Sequence, residues 1–269
     1  LASGSWSAKT IEGKAMTTPL DGTVALITGA SSGIGEATAR SLAAQGAKVA
    51  VAARRLERLE RLAAEIGGHG HTALAIESDI TDQDQAIAAV DRTVQELGRL
   101  DIVVNNAGVM LLGPIEDAPT AEWDRMIDLN LKGLIHTTHA ALPHLLGAAE
   151  DSSRGCADVV NISSVAGRVA RAGSGVYNLT KHGVGAFSES FRQEFAKRKI
   201  RSTLIEPGAV ETELTDHLRD GVKEQVRERF SGTHILEATD VADAIAYAVT
   251  RPWHVSLNEI LIRPTEQTG

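Results

Sequence analysis

The stretch that most constrains this chain is Val24-Ala-Leu-Ile-Thr-Gly-Ala-Ser-Ser-Gly-Ile-Gly35, an apolar run of strand character that ends in three glycines and opens directly into a helical pattern. Gly29 lets the chain turn sharply out of the strand, Gly33 lets the backbone approach a phosphate, and Gly35 lets the helix pack closely on a sheet. The N–H groups around Ile34 then point outward with the positive end of the helix dipole behind them, so Ser31, Ser32, Gly33 and Ile34 make a seat for a pyrophosphate. The spacing is G-x-x-x-G-x-G rather than G-x-G-x-x-G. The simpler alternative is a tight strand-to-helix turn whose glycines serve packing alone.

Strand and helix patterns go on alternating along the chain. The pattern predicts a helix over 34–45, a strand over 48–53, a helix over 56–66, a strand over 72–80 and a helix over 83–97 closed by Gly98. The end of the second strand comes up against the adenosine ribose in such units. An acidic residue there accepts from the ribose hydroxyls and repels a 2′-phosphate, whereas an arginine grips that phosphate. Ala53 occupies the acidic position and Arg54-Arg55 follow, which favours NADP(H), with Arg54 the stronger ligand; solvated charges at a helix start are the alternative. The third strand ends at Asp79-Ile80, near the adenine ring. A fourth strand over 100–108 is continuously apolar, as a parallel strand covered on both faces requires, and ends in Asn105-Asn106-Ala107-Gly108. Asn105 is expected to tie neighbouring strands together. Asn106, Ala107 and Gly108 bring backbone to the adenosine side, although asparagines at a strand end also serve as turn formers.

With 269 residues and 43% hydrophobic content, the chain suits one α/β domain over 16–269, preceded by a Ser/Gly/Ala/Lys-rich leader at 1–15. A formal charge of -8, from 27 basic and 35 acidic residues, disfavours a broad nucleic-acid footprint. Cys156 is the sole cysteine, which excludes an internal disulfide framework and cysteine-cluster metal sites and fits a reducing compartment. His69 and His71 lack the carboxylate partner of a metal motif, so no metal is expected. No stretch approaches the ~20 apolar residues that span a bilayer. A soluble, cytoplasmic protein without membrane or nucleic-acid partners is the expectation.

The chemistry concentrates in the second half. A helix begins at Thr120, presents Trp123 and Met126 on its apolar face and runs through Asn130, an asparagine in an apolar stripe that needs a hydrogen-bonding purpose. Residues 145–157 read as an exposed, charge-containing loop, with Cys156 a poor nucleophile inside it. A fifth strand, 158–164, delivers Ser164. On the next helix Tyr177 and Lys181 stand four apart and share a face. A phenol near pKa 10 is a poor base at neutral pH, and a neighbouring ammonium is expected to bring it toward the working range. Ser164 would hydrogen-bond a substrate oxygen beside the phenol, and Asn130 would hold a water behind the lysine. An aromatic–basic surface pair is the alternative for Tyr177 and Lys181.

Together these motifs resemble the short-chain dehydrogenase/reductase family: Thr28-Gly-Ala-Ser-Ser-Gly-Ile-Gly35, Asn105-Asn-Ala-Gly108, Asn130, Ser164, Tyr177-Asn-Leu-Thr-Lys181 and Pro207-Gly-Ala-Val-Glu-Thr212. The resemblance implies a Rossmann-like three-layer fold with a seven-stranded parallel sheet flanked by helices. It also implies that Ser164 stabilises a carbonyl or alkoxide, Tyr177 transfers the proton, Lys181 also holds the nicotinamide ribose and Asn130 maintains a relay. Asp79 would belong to the adenine pocket, and Pro207, Gly208, Val210 and Thr212 to the nicotinamide side. Ser163 adjoins Ser164, but the Ser164-Val-Ala-Gly167 pattern selects Ser164. Within the family, Met110-Leu-Leu-Gly-Pro114, Ser163-Ser-Val-Ala-Gly-Arg168 and Glu259-Ile-Leu-Ile-Arg-Pro-Thr265 are similar to NADP-dependent reductases of actinomycete secondary metabolism; the 147–156 loop is longer than that group suggests.

Phe187, Phe191 and Phe195 are expected to pack, a strand over 201–206 leads to Pro207, 211–232 reads as a substrate lid, and a helix over 239–249 and a strand over 257–262 complete the sheet. Substrate contacts fall to 110–114, 167–176 and the lid. Their apolar members favour a nonpolar body, while Arg168 and Arg171 either attract an anion or face solvent. The leading expectation is an NADP(H)-dependent enzyme interconverting a small-molecule carbonyl and an alcohol, as a homotetramer or homodimer. A 3-hydroxy acid dehydrogenase is the alternative, and a non-catalytic NADP-binding sensor the alternative of another class.

Overall fold

The computed structural model describes residues 18–268 except residue 233; the leader expected at 1–15 lies outside the described residues. Seven strands, β1 (Val24–Thr28), β2 (Lys48–Ala53), β3 (Ala73–Glu77), β4 (Ile102–Asn105), β5 (Ala157–Ile162), β6 (Ile200–Pro207) and β7 (Glu259–Ile262), form one parallel sheet in the order β3-β2-β1-β4-β5-β6-β7. The helices are α1 (Gly33–Ala44), α2 (Leu56–Gly68), α3 (Gln83–Leu97), α4 (Thr120–Ile127), α5 (Leu134–Asp151), α6 (Gly175–Phe195), α7 (Asp220–Arg229) and α8 (Ala238–Val249). The expected three-layer α/β architecture is the observed one.

Side chains alternate across a strand, and here both sets are apolar because both faces are covered. Ala25 and Ile27 of β1 pack with Leu42 of α1, Leu59 and Leu62 of α2 and Ile245 of α8. Leu26, with Val103 of β4 and Val159 of β5, packs instead with Val90 of α3, Leu145 of α5 and Phe191 of α6. Burying one such aliphatic side chain stabilises by about 1.5–3 kcal/mol. Phe191 lies between Phe187 and Phe195, with ring centroids 6.1 and 4.6 Å away. Gly98 closes α3 in the left-handed conformation at φ 93°, and Asp82 caps its start by accepting from the N–H groups of Asp84 and Gln85.

Asn105 fulfils the tie foreseen for it. Its amide donates to Asn161 Oδ1 on β5 and Thr138 Oγ1 on α5, both at 2.8 Å, and Asn161 passes the chain on to Ser188 of α6. At the opposite end of the sheet, Arg201 donates to buried Asp158 at 2.7 Å and to the carbonyls of Val249, Arg251, Pro252 and Val255, fastening the segment after α8 to β5 and β6.

One expectation requires correction. Residues 145–157 are not an exposed loop: α5 continues to Asp151, with Leu145, Ala148 and Ala149 buried at the i, i+3, i+4 spacing that extends its apolar stripe. Only the turn after it separates α5 from β5. Cys156 is buried, and burial together with nearby Asp158 pushes its thiol pKa up, so it is inert as a nucleophile.

Candidate active site

The strand order reverses between β1 and β4, and at such a switch point the loops leaving the carboxyl ends of the strands part to form a crevice. A cleft of about 650 Å³ opens there. Of the catalytic and cofactor-binding residues expected from the sequence, all but Gly35 and Asn130 line it.

The glycine turn is held from behind. Gly29 lies at φ +65°, and a Cβ there would come within 2.7 Å of Ala107 Cα. Asn106 donates its amide to the carbonyls of Thr28 and Gly29, at 2.9 and 3.1 Å, while Thr28 Oγ1 accepts from the N–H groups of Asn106 and Ala107, both at 3.1 Å. The Asn106-Ala107-Gly108 segment thus buttresses the turn as well as lining the cleft. Gly35 is needed for the same contact, since a Cβ would sit 2.7 Å from the Gly29 carbonyl. At the start of α1, Ser32 makes no side-chain capping bond, which leaves the first-turn N–H groups available to an anion. This uncapped helix end beside a left-handed glycine, in a cleft long enough to reach from Arg54 to Tyr177, fits a dinucleotide.

At the end of the cleft formed after β2 and β3, Arg54 is exposed and Asp79 is folded into its own turn, accepting from Thr81 N at 3.1 Å and Thr81 Oγ1 at 2.7 Å, with Ile80 buried beside it. Arg55 spans the turn, donating to Ser31 and Ser32. On the other side of the cleft Thr212 caps a 3₁₀ turn over Glu213–His217, accepting from Leu214 N at 3.3 Å, and its methyl lies against Gly33.

The opposite end carries Ser164, Tyr177 and Lys181. Lys181 donates to the Ile162 carbonyl at 2.9 Å, and its Nζ stands 5.8 Å from the Tyr177 ring centroid. Gly167 allows the turn after β5 to touch α6, because a Cβ there would lie 2.8 Å from the Lys181 carbonyl. Ser163 is buried and donates to that carbonyl at 3.0 Å, whereas half-buried Ser164 lines the cleft with an Oγ that accepts from Ala166 N at 3.1 Å. The sequence-based account of the phenol is corrected. Burial pushes Tyr177 up to about 12 against a downward pull from the neighbouring Ser164 hydroxyl, and burial also brings Lys181 down to about 8. Desolvation dominates because the ammonium points at a carbonyl rather than at the phenol oxygen.

Asn130 sits behind the site, on a π-helical segment, Asp128–Gly133, that joins α4 to α5. Its Oδ1 accepts from Val109 N at 2.8 Å, and its amide donates to Val109 O at 2.9 Å and Thr180 Oγ1 at 3.2 Å. With both polar atoms engaged by protein, the side chain positions the 109 loop against α6. A water held by this residue would have to use its main chain.

Arg168, a candidate for binding a substrate anion, is committed elsewhere. It donates to buried Glu206 at 2.6 Å and pairs with Glu259. Arg171 lines the cleft, half-buried, with no side-chain hydrogen bond or ion pair among the described residues. Three contributors escaped the sequence reading. Glu213 pairs with Arg55 and Arg58; Arg219 reaches from the start of α7 to the carbonyls of Leu112 and Asp117; and Gln267 Oε1 accepts from Ala209 N at 2.9 Å. None belongs to a local pattern, and only the tertiary fold brings Glu213 and Gln267 to the cleft and Arg219 to the carbonyls of the 112–117 segment.

The chain belongs to the short-chain dehydrogenase family, whose model matches residues 23–223. An uncharacterized oxidoreductase of Staphylococcus saprophyticus is 39% identical over 249 residues, covering 91% of this chain and 97% of its own. The closed form of a serine dehydrogenase complexed with NADP+ superposes with a TM-score of 0.81 at 33% identity over 92% of this chain and 97% of that one. A 3-ketoacyl-(acyl-carrier-protein) reductase from Brucella melitensis complexed with NADH gives 0.80 at 31% identity over 90% and 97%. The protein is accordingly an oxidoreductase that acts on CH–OH or C=O groups of small molecules with a nicotinamide dinucleotide, and the non-catalytic alternative falls away. Among the described residues, no helix is long and apolar enough to cross a membrane.

Proposed function

We propose that the protein is an NADP(H)-dependent carbonyl reductase in which Tyr177 transfers the proton, Ser164 holds the substrate oxygen and Lys181 orients the nicotinamide ribose. The observation that carries this reading is the convergence of Ser164, Tyr177 and Lys181 in the cleft that also contains the glycine turn. When bound, the cofactor supplies hydride to the carbonyl carbon. A phenol that burial keeps protonated is suited to donate to the oxygen, with Ser164 in position to hydrogen-bond the alkoxide. The pyrophosphate would rest on the N–H groups of 32–34, the adenine beside Asp79 and Ile80, and the nicotinamide against Pro207, Gly208, Val210 and Thr212. Asn130 supports the relay as a positioning residue. Exposed Arg54, without the acidic residue that NAD-binding relatives of this architecture place there, supports NADP(H).

The likeness of Met110–Pro114, Ser163–Arg168 and Glu259–Thr265 to clavulanic acid dehydrogenase (clavaldehyde reductase) and related actinomycete enzymes supports a reductase of secondary metabolism, of the kind that serves antibiotic biosynthesis. The whole of 16–269 would form a single catalytic domain, with 211–232 as its substrate lid, working in the cytoplasm as a homotetramer or homodimer. A second reading, a 3-hydroxy acid dehydrogenase, is favoured by Arg171, whose guanidinium in the cleft suits a carboxylate.

Tyr177→Phe is expected to lower NADPH oxidation with a panel of aldehydes and ketones at least ~100-fold while leaving NADPH binding within about twofold; unchanged turnover would sink the assignment. Arg54→Ala is expected to weaken NADPH by roughly tenfold and NADH hardly at all, through loss of one charge-assisted contact. Equal weakening of both cofactors would remove the NADP(H) preference. Efficient oxidation of 3-hydroxy acids in the same panel would favour the second reading.

A further inference from the structure

The segment after β6 is fastened across the glycine turn by its own carboxylate. Glu213 opens the 3₁₀ turn of the lid and accepts from Arg55 Nη1 at 2.7 Å and Arg58 Nη1 at 2.6 Å. The other donors of Arg55 are occupied on the turn itself, Nε and Nη2 reaching Ser31 Oγ at 3.0 and 2.9 Å and Nη2 also reaching Ser32 Oγ at 2.8 Å. Arg54, one residue earlier, makes no side-chain hydrogen bond or ion pair among the described residues. The two arginines hold the Glu213 carboxyl at about 2, so it stays charged across the working pH range. At this corner of the cleft, then, a fixed anion already occupies guanidinium positions that a phosphate would take by the same bidentate chemistry.

We propose that Glu213 is a built-in competitor for the 2′-phosphate of NADP(H), so that a cofactor carrying this phosphate takes Arg55 and Arg58 from Glu213 and releases the first turn of the lid. The inference rests on the NADP(H) reading of the cleft. NAD(H), which lacks the phosphate, leaves the Glu213 pairs in place. Cofactor preference is therefore set jointly by Arg54, which attracts the phosphate, and by Glu213, which opposes it, and the lid senses which cofactor is present.

The test uses two adenosine fragments that differ in the 2′-phosphate and lack the nicotinamide: 2′,5′-ADP and 5′-AMP. Calorimetric titration of the full-length protein is expected to show Glu213→Gln binding 2′,5′-ADP and NADP+ about fivefold more tightly than wild type, the effect of removing one nearby screened like charge. Binding of 5′-AMP and NAD+ is expected to change less than about twofold. In the wild type, 2′,5′-ADP is expected to accelerate amide hydrogen exchange over 213–217, and 5′-AMP to leave it unchanged. Weaker binding of 2′,5′-ADP by Glu213→Gln, or an equal change for all four compounds, overturns the proposal and makes Glu213 a strap over the cofactor. Wild-type protein that binds 5′-AMP as tightly as 2′,5′-ADP defeats the NADP(H) reading itself, and the competitor role with it. Preference for 2′,5′-ADP with no response to Glu213→Gln defeats the competitor role alone.

Discussion

Lys181 is a buried ammonium that donates to the Ile162 carbonyl, and its cost to the fold depends on pH. Its pKa is lowered from 10.5 to about 8, so between those values the unfolded chain binds a proton that the folded protein has released. Stability therefore rises as pH climbs from about 8 to 10.5, and the burial penalty is complete below 8. Tyr177 acts in the reverse sense at higher pH: raised from 10 to about 12, it makes stability fall across that interval. Lys181→Met is thus expected to stabilise the cofactor-free protein by roughly 1–3 kcal/mol at pH 7, less the lost hydrogen bond, with the gain fading toward pH 10.5. Urea unfolding at both pH values checks this, and a gain that did not shrink at high pH would show that packing rather than charge was responsible. Much at this scale was legible in the sequence, because Tyr177, Lys181 and Ser164 lie in short motifs with chemical meaning. The sign of the tyrosine shift was not legible, since it depends on burial and on the direction in which the lysine points.

At the scale of elements, the order of strands and helices was easier to read than their ends: the strands expected over 72–80 and 100–108 are Ala73–Glu77 and Ile102–Asn105. Lys48–Ala53 and Gln83–Leu97 coincide with the residues expected, because continuous apolar character marks one and Asp82 and Gly98 bound the other. The end of α5 was misread because Gly147 and the charged Glu150-Asp151 run suggest a loop, while the opposing signal, Leu145 with Ala148 and Ala149, is only one buried face. Leu145 is fully buried against the α3, β4 and β5 layer. Leu145→Ala is expected to cost about 2–4 kcal/mol in chemical denaturation, as for a core cavity. A loop residue would lose less than about 0.5 kcal/mol, so the measurement separates the two accounts of this segment.

For the molecule as a whole, the seven-stranded order follows from repeated strand–helix units, and the cleft follows from the order reversing at β1 and β4. The closing of the cleft by distant chain does not follow. Gln267 comes back from beyond β7 to hold Ala209 N, on the segment where the nicotinamide is proposed to lie, and no motif near either residue announces the contact. Gln267→Ala leaves that N–H without its acceptor, at a cost of about 1 kcal/mol. The expected result is a severalfold rise in KM for the cofactor with the melting temperature lowered by only about 2–4 °C; a KM equal to wild type would make the C-terminal return purely structural.

The π-helical segment at Asp128–Gly133 also fixes a rotational phase. A π turn closes on i→i+5 hydrogen bonds instead of i→i+4, so it takes in one more residue over about the same rotation. The faces of α4 and α5 therefore stay in phase across the odd residue, and Met126 and Trp123 still meet Val109, Leu111 and Tyr177. The same residue added to a regular α-helix would swing that apolar face by ~100°. The irregularity is thus a phase compensator between the scaffold and the side of the cleft lined by Val109 and Tyr177.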